Sequence, residues 1–137
     1  MSLYYADTSA VIKLLVEETD SKAFAAFYDA HADAEWVSSA LLRIEVIRAV
    51  ARAMPALLPD ARDLLLAFSC IAIDDDIVEG AMNEPDRGLR SLDAIHLASA
   101  LLWHEAHPEE ELIMATHDER VAKAAQAHGL GVIGWPE

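Results

Sequence analysis

Three aspartates stand where helices open: Asp7 in "YYADTS", Asp93 in "LRSLDAIH" and Asp118 in "ATHDER". An acid at a helix start has an ordinary role, since its carboxylate accepts the free amides of the first turn and the helix dipole favours negative charge there. That role explains each of them singly, and for the helix carrying Asp93 in its opening turn, Ser91 reads as the N-cap. Three carboxylates at three helix starts become one cluster if the fold brings those starts to one edge. Glu45 is a fourth candidate. On a helical wheel of residues 41 to 54 it shares a narrow polar stripe with Arg48 and Arg52, which by itself reads as a solvated face with a Glu45 to Arg48 pair at i,i+3.

Carboxylates crowded into one cleft raise each other's pKa, and a hard divalent cation relieves the repulsion. Oxygen-only ligation suits Mg²⁺ or Mn²⁺, which keep several waters and share their other positions with phosphate oxygens. Such an ion holds a phosphodiester, promotes ionisation of an attacking water and offsets charge on the leaving oxygen. The chemistry implied is phosphodiester hydrolysis. His96, His104, His107, His117 and His128 offer no zinc pattern, and there is no phosphate-binding glycine loop, nucleophile elbow or dinucleotide fingerprint.

The elements that must position these acids alternate. "SLYYA" (2–6), "EWVSS" (35–39), "CIAID" (70–74), "ELIMAT" (111–116) and "GVIGW" (131–135) read as strands. Between them, helices are expected over 8–18, 21–32, 40–54, 59–69, 75–84, 91–106 and 118–128, with Pro55 ending one and Pro59 and Asp60 starting the next. Strand and helix in turn predict an α/β domain, with a parallel sheet covered on both faces by helices. Ligands of such sheets bind beyond the carboxyl ends of the strands, near a topological switch point. Asp7 and Asp118 both follow strands, so they are expected on the same sheet edge. Asp93 is expected to be aimed by a helix whose Leu92, Ile95 and Leu97 the core grips.

With 137 residues, 54% of them hydrophobic, and no repeat or linker, the chain reads as one domain spanning 1–137. A net charge of −14 argues against broad, non-specific binding to nucleic acid, so a phosphate-bearing substrate needs another source of positive charge. The acidity also suits a basic partner protein. Cys70, the single cysteine, lies in an apolar stretch and reads as a small buried hydrophobe in a reducing cytosol. No basic leader opens the chain and no apolar run is long enough to span a bilayer, so a cytoplasmic location without membrane contact is expected. Trp36, Trp103 and Trp135 read as core or interface packing.

"YADTSAVIKLL", "ALLRIEVIRAVAR", "LRSLDAIHLASALL" and "MATHDERVAKAA", in that order and across almost the whole chain, resemble the PIN-domain ribonucleases, in particular the VapC-type toxins of toxin-antitoxin modules. The resemblance implies a three-layer α/β/α sandwich with a mainly parallel sheet and an Mg²⁺- or Mn²⁺-dependent endoribonuclease. By that likeness Asp7, Glu45, Asp93 and Asp118 are the first to fourth acids and metal ligands, which lifts Glu45 off its solvated stripe. Thr8, Ser9 and Thr116 match the hydroxyl positions that support the site. The likeness also implies homodimerisation and a small VapB-type antitoxin that blocks the cleft. Arg48, Arg52, Arg87 and Arg90 become candidate contacts to RNA phosphates, each with a plain surface-charge reading beside it. Two other classes stay open: an α/β phosphohydrolase or phospho-acceptor domain, and a non-catalytic binding module on the same scaffold.

Overall fold

Five short apolar segments pair as one sheet: β1 (Ser2–Ala6), β2 (Glu35–Ser39), β3 (Ser69–Ile71), β4 (Glu111–Ala115) and β5 (Gly131–Ile133). The computed structural model describes residues 2–16 and 21–135. All four pairings are parallel, in the order β3-β2-β1-β4-β5. The intervening helices are α1 (Thr8–Leu15), α2 (Lys22–Ala30), α3 (Leu41–Ala53), α4 (Leu58–Leu65), α5 (Asp75–Met82), α6 (Ser91–Ala106) and α7 (Glu119–Ala127). No helix among the described residues is long and apolar enough to cross a membrane.

Because side chains alternate along a strand, each strand feeds two cores. Leu3 and Tyr5 of β1 with Leu112 and Met114 of β4 pack against Ala94, Leu97 and Ala100 of α6 and Val121, Ala124 and Ala125 of α7. Tyr4 and Ala6 with Trp36 and Ala115 face the other way, onto Ala10 and Val11 of α1, Phe24 of α2, Leu42, Val46 and Val50 of α3 and Leu65 of α4. This is the expected three-layer α/β/α sandwich. Trp36 stacks on Tyr4 in the second core at a centroid distance of 4.6 Å. Trp103 is partly buried and stacks on His107, and Trp135 is partly buried beneath Lys123. Cys70 is free but only partly buried, short of the core position expected of it.

Several boundaries move, each for a local reason. β3 stops at Ile71, not residue 74, because Asp74 leaves the sheet to cap α5, accepting the Ile77 amide at 2.9 Å. β5 ends at Ile133, since Gly134 turns the chain at a φ of 96°. Helix α4 begins at Leu58 after a 3-10 turn over Pro55–Leu57, where proline's missing amide costs nothing. The first helix ends at Leu15, and Glu17 and Glu18 of its expected span lie outside the described residues. Helix α6 spans Ser91–Ala106 as expected, but its N-cap is Arg90, without a side-chain cap bond, and Ser91 is the first helical residue rather than the cap. Leu92 is exposed rather than gripped, because α6 turns Ala94, Leu97, Ala98 and Ala100 toward the protein.

The strand order sets the site. From β1 the sheet grows one way through β2 and β3, and the other way through β4 and β5, so the winding reverses between β1 and β4. Ala6 pairs with Ala115, which sets the two carboxyl ends side by side, and the Asp7 amide donates to the Ala115 carbonyl at 3.1 Å. The residues just beyond are Asp7 on one strand and Thr116 to Asp118 on the other.

Candidate active site

Asp7 caps α1 from the end of β1. Its Oδ1 accepts the Ala10 amide at 3.1 Å and the Ser9 hydroxyl at 2.7 Å, and its Oδ2 accepts the Thr116 hydroxyl at 2.5 Å. Ser9 in turn accepts the His117 amide at 2.8 Å, and Thr116 accepts the Asp118 amide at 3.0 Å. Two hydroxyls therefore tie the ends of β1 and β4 through one carboxylate. Burial pushes the Asp7 carboxyl above its ordinary value, opposed by His96, Ser9, Thr116 and the Ala10 amide. Three donors leave this buried acid with little freedom to turn.

Glu45 arrives from α3, in the layer opposite α6, and meets His96 of α6 across the carboxyl edge of the sheet. Its Oε1 accepts the Thr8 hydroxyl at 2.7 Å and lies 2.7 Å from His96 Nε2. Burial raises the Glu45 carboxyl, yet the bonds to His96 and Thr8 outweigh it and hold the group below the usual carboxylate value. The stripe seen on the helical wheel thus does not decide its surroundings, and no Glu45 to Arg48 ion pair occurs among the described residues. His96 itself is buried, with Nδ1 2.8 Å from the Tyr5 hydroxyl.

Asp93 sits in the first turn of α6, half-buried. Its nearest cation is Arg90, whose Nε stands 3.5 Å from Oδ2 and whose side chain is largely exposed. Burial raises the Asp93 carboxyl, Asp118 and then Asp7 push it further, and Arg90 and His96 pull it down. Asp93 therefore feels the charge of two acids from other elements, Asp118 and Asp7, although Asp7 lies 86 positions earlier in sequence. Asp118 caps α7, its Oδ1 accepting the Arg120 and Val121 amides at 2.9 and 3.1 Å. Beside it an open cleft of about 470 Å³ is lined by Arg90, His117, Asp118, Glu119 and Arg120. Of the four candidate arginines only Arg90 joins this group; Arg48 and Arg52 are exposed on α3, and Arg87 is exposed in the loop before α6.

A PIN-domain family profile matches residues 4–128. The chain belongs to the PIN-domain family. It is 37% identical over 131 residues to Ribonuclease VapC35 of Mycobacterium tuberculosis, covering 96% of both chains. Ribonuclease VapC46 of the same species is 32% identical over 133 residues, covering 97% of this chain and 98% of its own. Two solved structures share the fold. One, described as a toxin-antitoxin complex from Klebsiella pneumoniae, superposes with a TM-score of 0.61 at 24% identity over 88% of this chain and 90% of that one. The other, described as the structure of FitAB bound to IR36 DNA fragment, gives 0.67 at 16% identity over 98% and 97%.

The PIN-domain site also holds residues that sequence reasoning does not single out. His96 reads from the sequence only as a zinc candidate to be rejected, although its place three residues after Asp93 puts both on one helix face. Tyr5, on the strand before Asp7, carries no signal beyond its apolar setting, and Arg120 lies two residues past Asp118. For a cation, the donor chemistry fits: the acids are hard oxygen donors, burial disfavours the charge of both Asp7 and Asp93, and Asp118 and Asp7 add repulsion at Asp93. Among the described residues no three acidic, cysteine or histidine side chains form a closed cluster for an ion.

Proposed function

We propose that this PIN domain is an Mg²⁺- or Mn²⁺-dependent endoribonuclease, the toxin of a toxin-antitoxin pair, with Asp7, Glu45, Asp93 and Asp118 as its acidic centre. The observation that carries the reading is the placement of Asp7 and Asp118 at the paired carboxyl ends of β1 and β4, the switch point of the sheet, with Asp93 near enough for both to act on its charge, in a chain 37% identical to a named ribonuclease. A divalent ion, when bound, offsets the charge of the phosphodiester and eases ionisation of the attacking water.

The chain's own residues divide the remaining work. Asp7 and Asp93 are the main ligands: the first is held by Ser9, Thr116 and an amide, the second by its place on α6. Glu45 is kept ionised, and its Oε2, with no protein partner among the described residues, is suited to accept a hydrogen bond from the incoming water. Arg90 and Arg120 flank the cleft and offer guanidinium groups to RNA phosphates; Arg48, Arg52 and Arg87 serve as outer phosphate contacts. A strongly acidic surface of this kind complements a basic antitoxin, and we place the protein in the cytoplasm as a homodimer of a single-domain chain.

The test is cleavage of structured RNA by the purified protein with Mg²⁺ or Mn²⁺, with EDTA, and by Asp7→Asn and Asp93→Asn. Cleavage should need the ion and fall by orders of magnitude in both variants. Equal cleavage by wild type and variants would reject the assignment.

A further inference from the structure

A second concave site lies on the far flank of the helix that carries Glu45. Between α3 and α4, beside the edge strand β3, is a cavity of about 410 Å³. Its floor is apolar, with Ile47 partly buried and Phe68 almost wholly so. Its rim is cationic, since Arg43 and Arg62 are both exposed. Leu66, 85% exposed, forms a lip. Asp63 is the one acid of the lining, and among the described residues neither arginine forms an ion pair with it or with any other acid.

Charge is placed unevenly along this chain. The whole carries −14, yet from Leu41 to Leu65 four arginines stand against three acids. A basic antitoxin, suited to the acidic remainder, gains nothing at Arg43 and Arg62. The occupant that fits is an anion with a flat, largely apolar part. Single-stranded RNA has both, because its bases splay out onto apolar and guanidinium surfaces while arginine holds its phosphates.

Helix geometry links the cavity to the acids. Leu42, Val46 and Val50 face the core, and at about 100° per residue this sets Glu45 on the flank toward α1, where Thr8 meets it. Arg43 and Ile47 fall on the other flank, toward α4, and Arg48 stands exposed on the ridge between. Crossing that ridge spans one helix diameter, about 10 Å, which a few linked nucleotides cover.

We propose that the cavity between α3 and α4 is an RNA subsite: a base splayed from the strand enters over Ile47 and Phe68, Arg43 and Arg62 hold its phosphate, and Arg48 guides the strand across α3 to Glu45. That RNA is the ligand rests on the ribonuclease reading; the cavity and its charges do not.

Cys70 lines the same cavity, is only partly buried and is the chain's single cysteine, so its alkylation by iodoacetamide reports occupancy. The rate is measured with Mg²⁺ on Asp93→Asn, which leaves RNA intact. A short single-stranded RNA should slow alkylation several-fold, and the same strand made of abasic nucleotides should not, because the base fills the cavity. Adding Arg43→Gln or Arg62→Gln should remove the RNA effect. In cleavage by the chain with Asp93 restored, either substitution should raise KM and lower the slope of log KM against log salt by about 0.7, the share of one phosphate on a single strand. A merely structural role would leave that slope alone.

Alkylation equally fast with and without RNA, equal shielding by the abasic strand, or undiminished shielding in the arginine variants overturns the proposal. So does shielding that grows with protein concentration alone, which would assign the cavity to a second copy, or shielding by an acidic peptide but not by RNA. Failure of wild type to cleave RNA rejects the ribonuclease reading, while the shielding of Cys70 still judges the subsite.

Discussion

Replacing Thr116 by Val removes one hydroxyl from a fully buried position and keeps the side-chain volume, so the loss is polar rather than steric. That hydroxyl donates to Asp7 Oδ2 at 2.5 Å and accepts the Asp118 amide at 3.0 Å. A hydrogen bond to a charged acceptor contributes about 1.5–3 kcal/mol, and the Asp118 amide, only partly buried, adds up to about 1 kcal/mol when orphaned. The two terms overlap, so the expected loss is about 2–3 kcal/mol, or a fall of roughly 5–15 °C in Tm for a chain of this size. Thr116→Ser keeps the hydroxyl and gives up only a methyl, at a cost of about 1 kcal/mol.

The pH dependence of that loss has a definite sign. Asp7 lies above its ordinary carboxyl value in the folded chain, and the Thr116 donor is one of the groups holding it down. Removing the donor raises Asp7 further. The penalty is full above the elevated pKa of Asp7, where the carboxyl is ionised, and shrinks as pH falls through it, because a neutral carboxyl loses much less with the hydroxyl. Urea unfolding of wild type, Thr116→Val and Thr116→Ser across pH measures both effects. If Val at this position equals wild type at every pH, or its deficit grows as pH falls, Thr116 does not hold the Asp7 charge and the reasoning fails.

Asp93→Asn should raise the Tm of the ion-free chain by a few degrees at neutral pH, because burial, Asp118 and Asp7 all disfavour the charge at that position, while the exposed Arg90 contact contributes little. The gain should vanish as pH falls through the raised pKa of Asp93, and thermal melts in EDTA across pH check it; a lower Tm at neutral pH would contradict the repulsion inferred. The same variant should lose most of the Tm increase that Mn²⁺ gives wild type. Gly134→Ala places a Cβ 2.6 Å from the Thr116 carbonyl at a φ of 96°, whereas at Gly129, with a φ of 87°, nothing lies within 4 Å. The first should therefore cost about 2–4 kcal/mol, the second about 1 kcal/mol, and only the first should disturb RNA cleavage; equal losses by urea unfolding would show that the Thr116 carbonyl yields.

Alternating apolar runs made the α/β class legible, and strand-then-acid placement made the sheet edge legible. Strand order was not, since five parallel strands can be wound in many ways and it is the pairing of β1 with β4 that brings Asp7 beside Thr116. Glu45 shows the limit of periodicity. Its helical stripe depends only on α3, whereas its environment is set by Thr8 and His96 from elements 37 and 51 positions away. His96 was illegible for the converse reason: a histidine amid alanines and leucines says nothing of the tyrosine 91 positions earlier that it meets. Leu92 was misplaced because α6 is apolar nearly all round, so composition cannot say which face turns inward.

The ordinary reading of the acids as helix caps and the reading as a site turn out to be compatible, because a carboxylate has two oxygens. Asp118 spends Oδ1 on the Arg120 and Val121 amides, and Glu45 spends Oε1 on Thr8 and His96. Asp7 places its capping amide and Ser9 on Oδ1 and takes a single donor on Oδ2. In each case one oxygen anchors the group and the other keeps capacity for a ligand. Asp93 departs from the pattern: it caps nothing, and among the described residues its ion-pair partner is an exposed arginine 3.5 Å away. It is held in place by the packing of α6 rather than by donors, so its charge is the least compensated of the four. For that reason substitution at Asp93 separates charge from scaffolding, while substitution at Asp7 or Asp118 removes a helix cap as well.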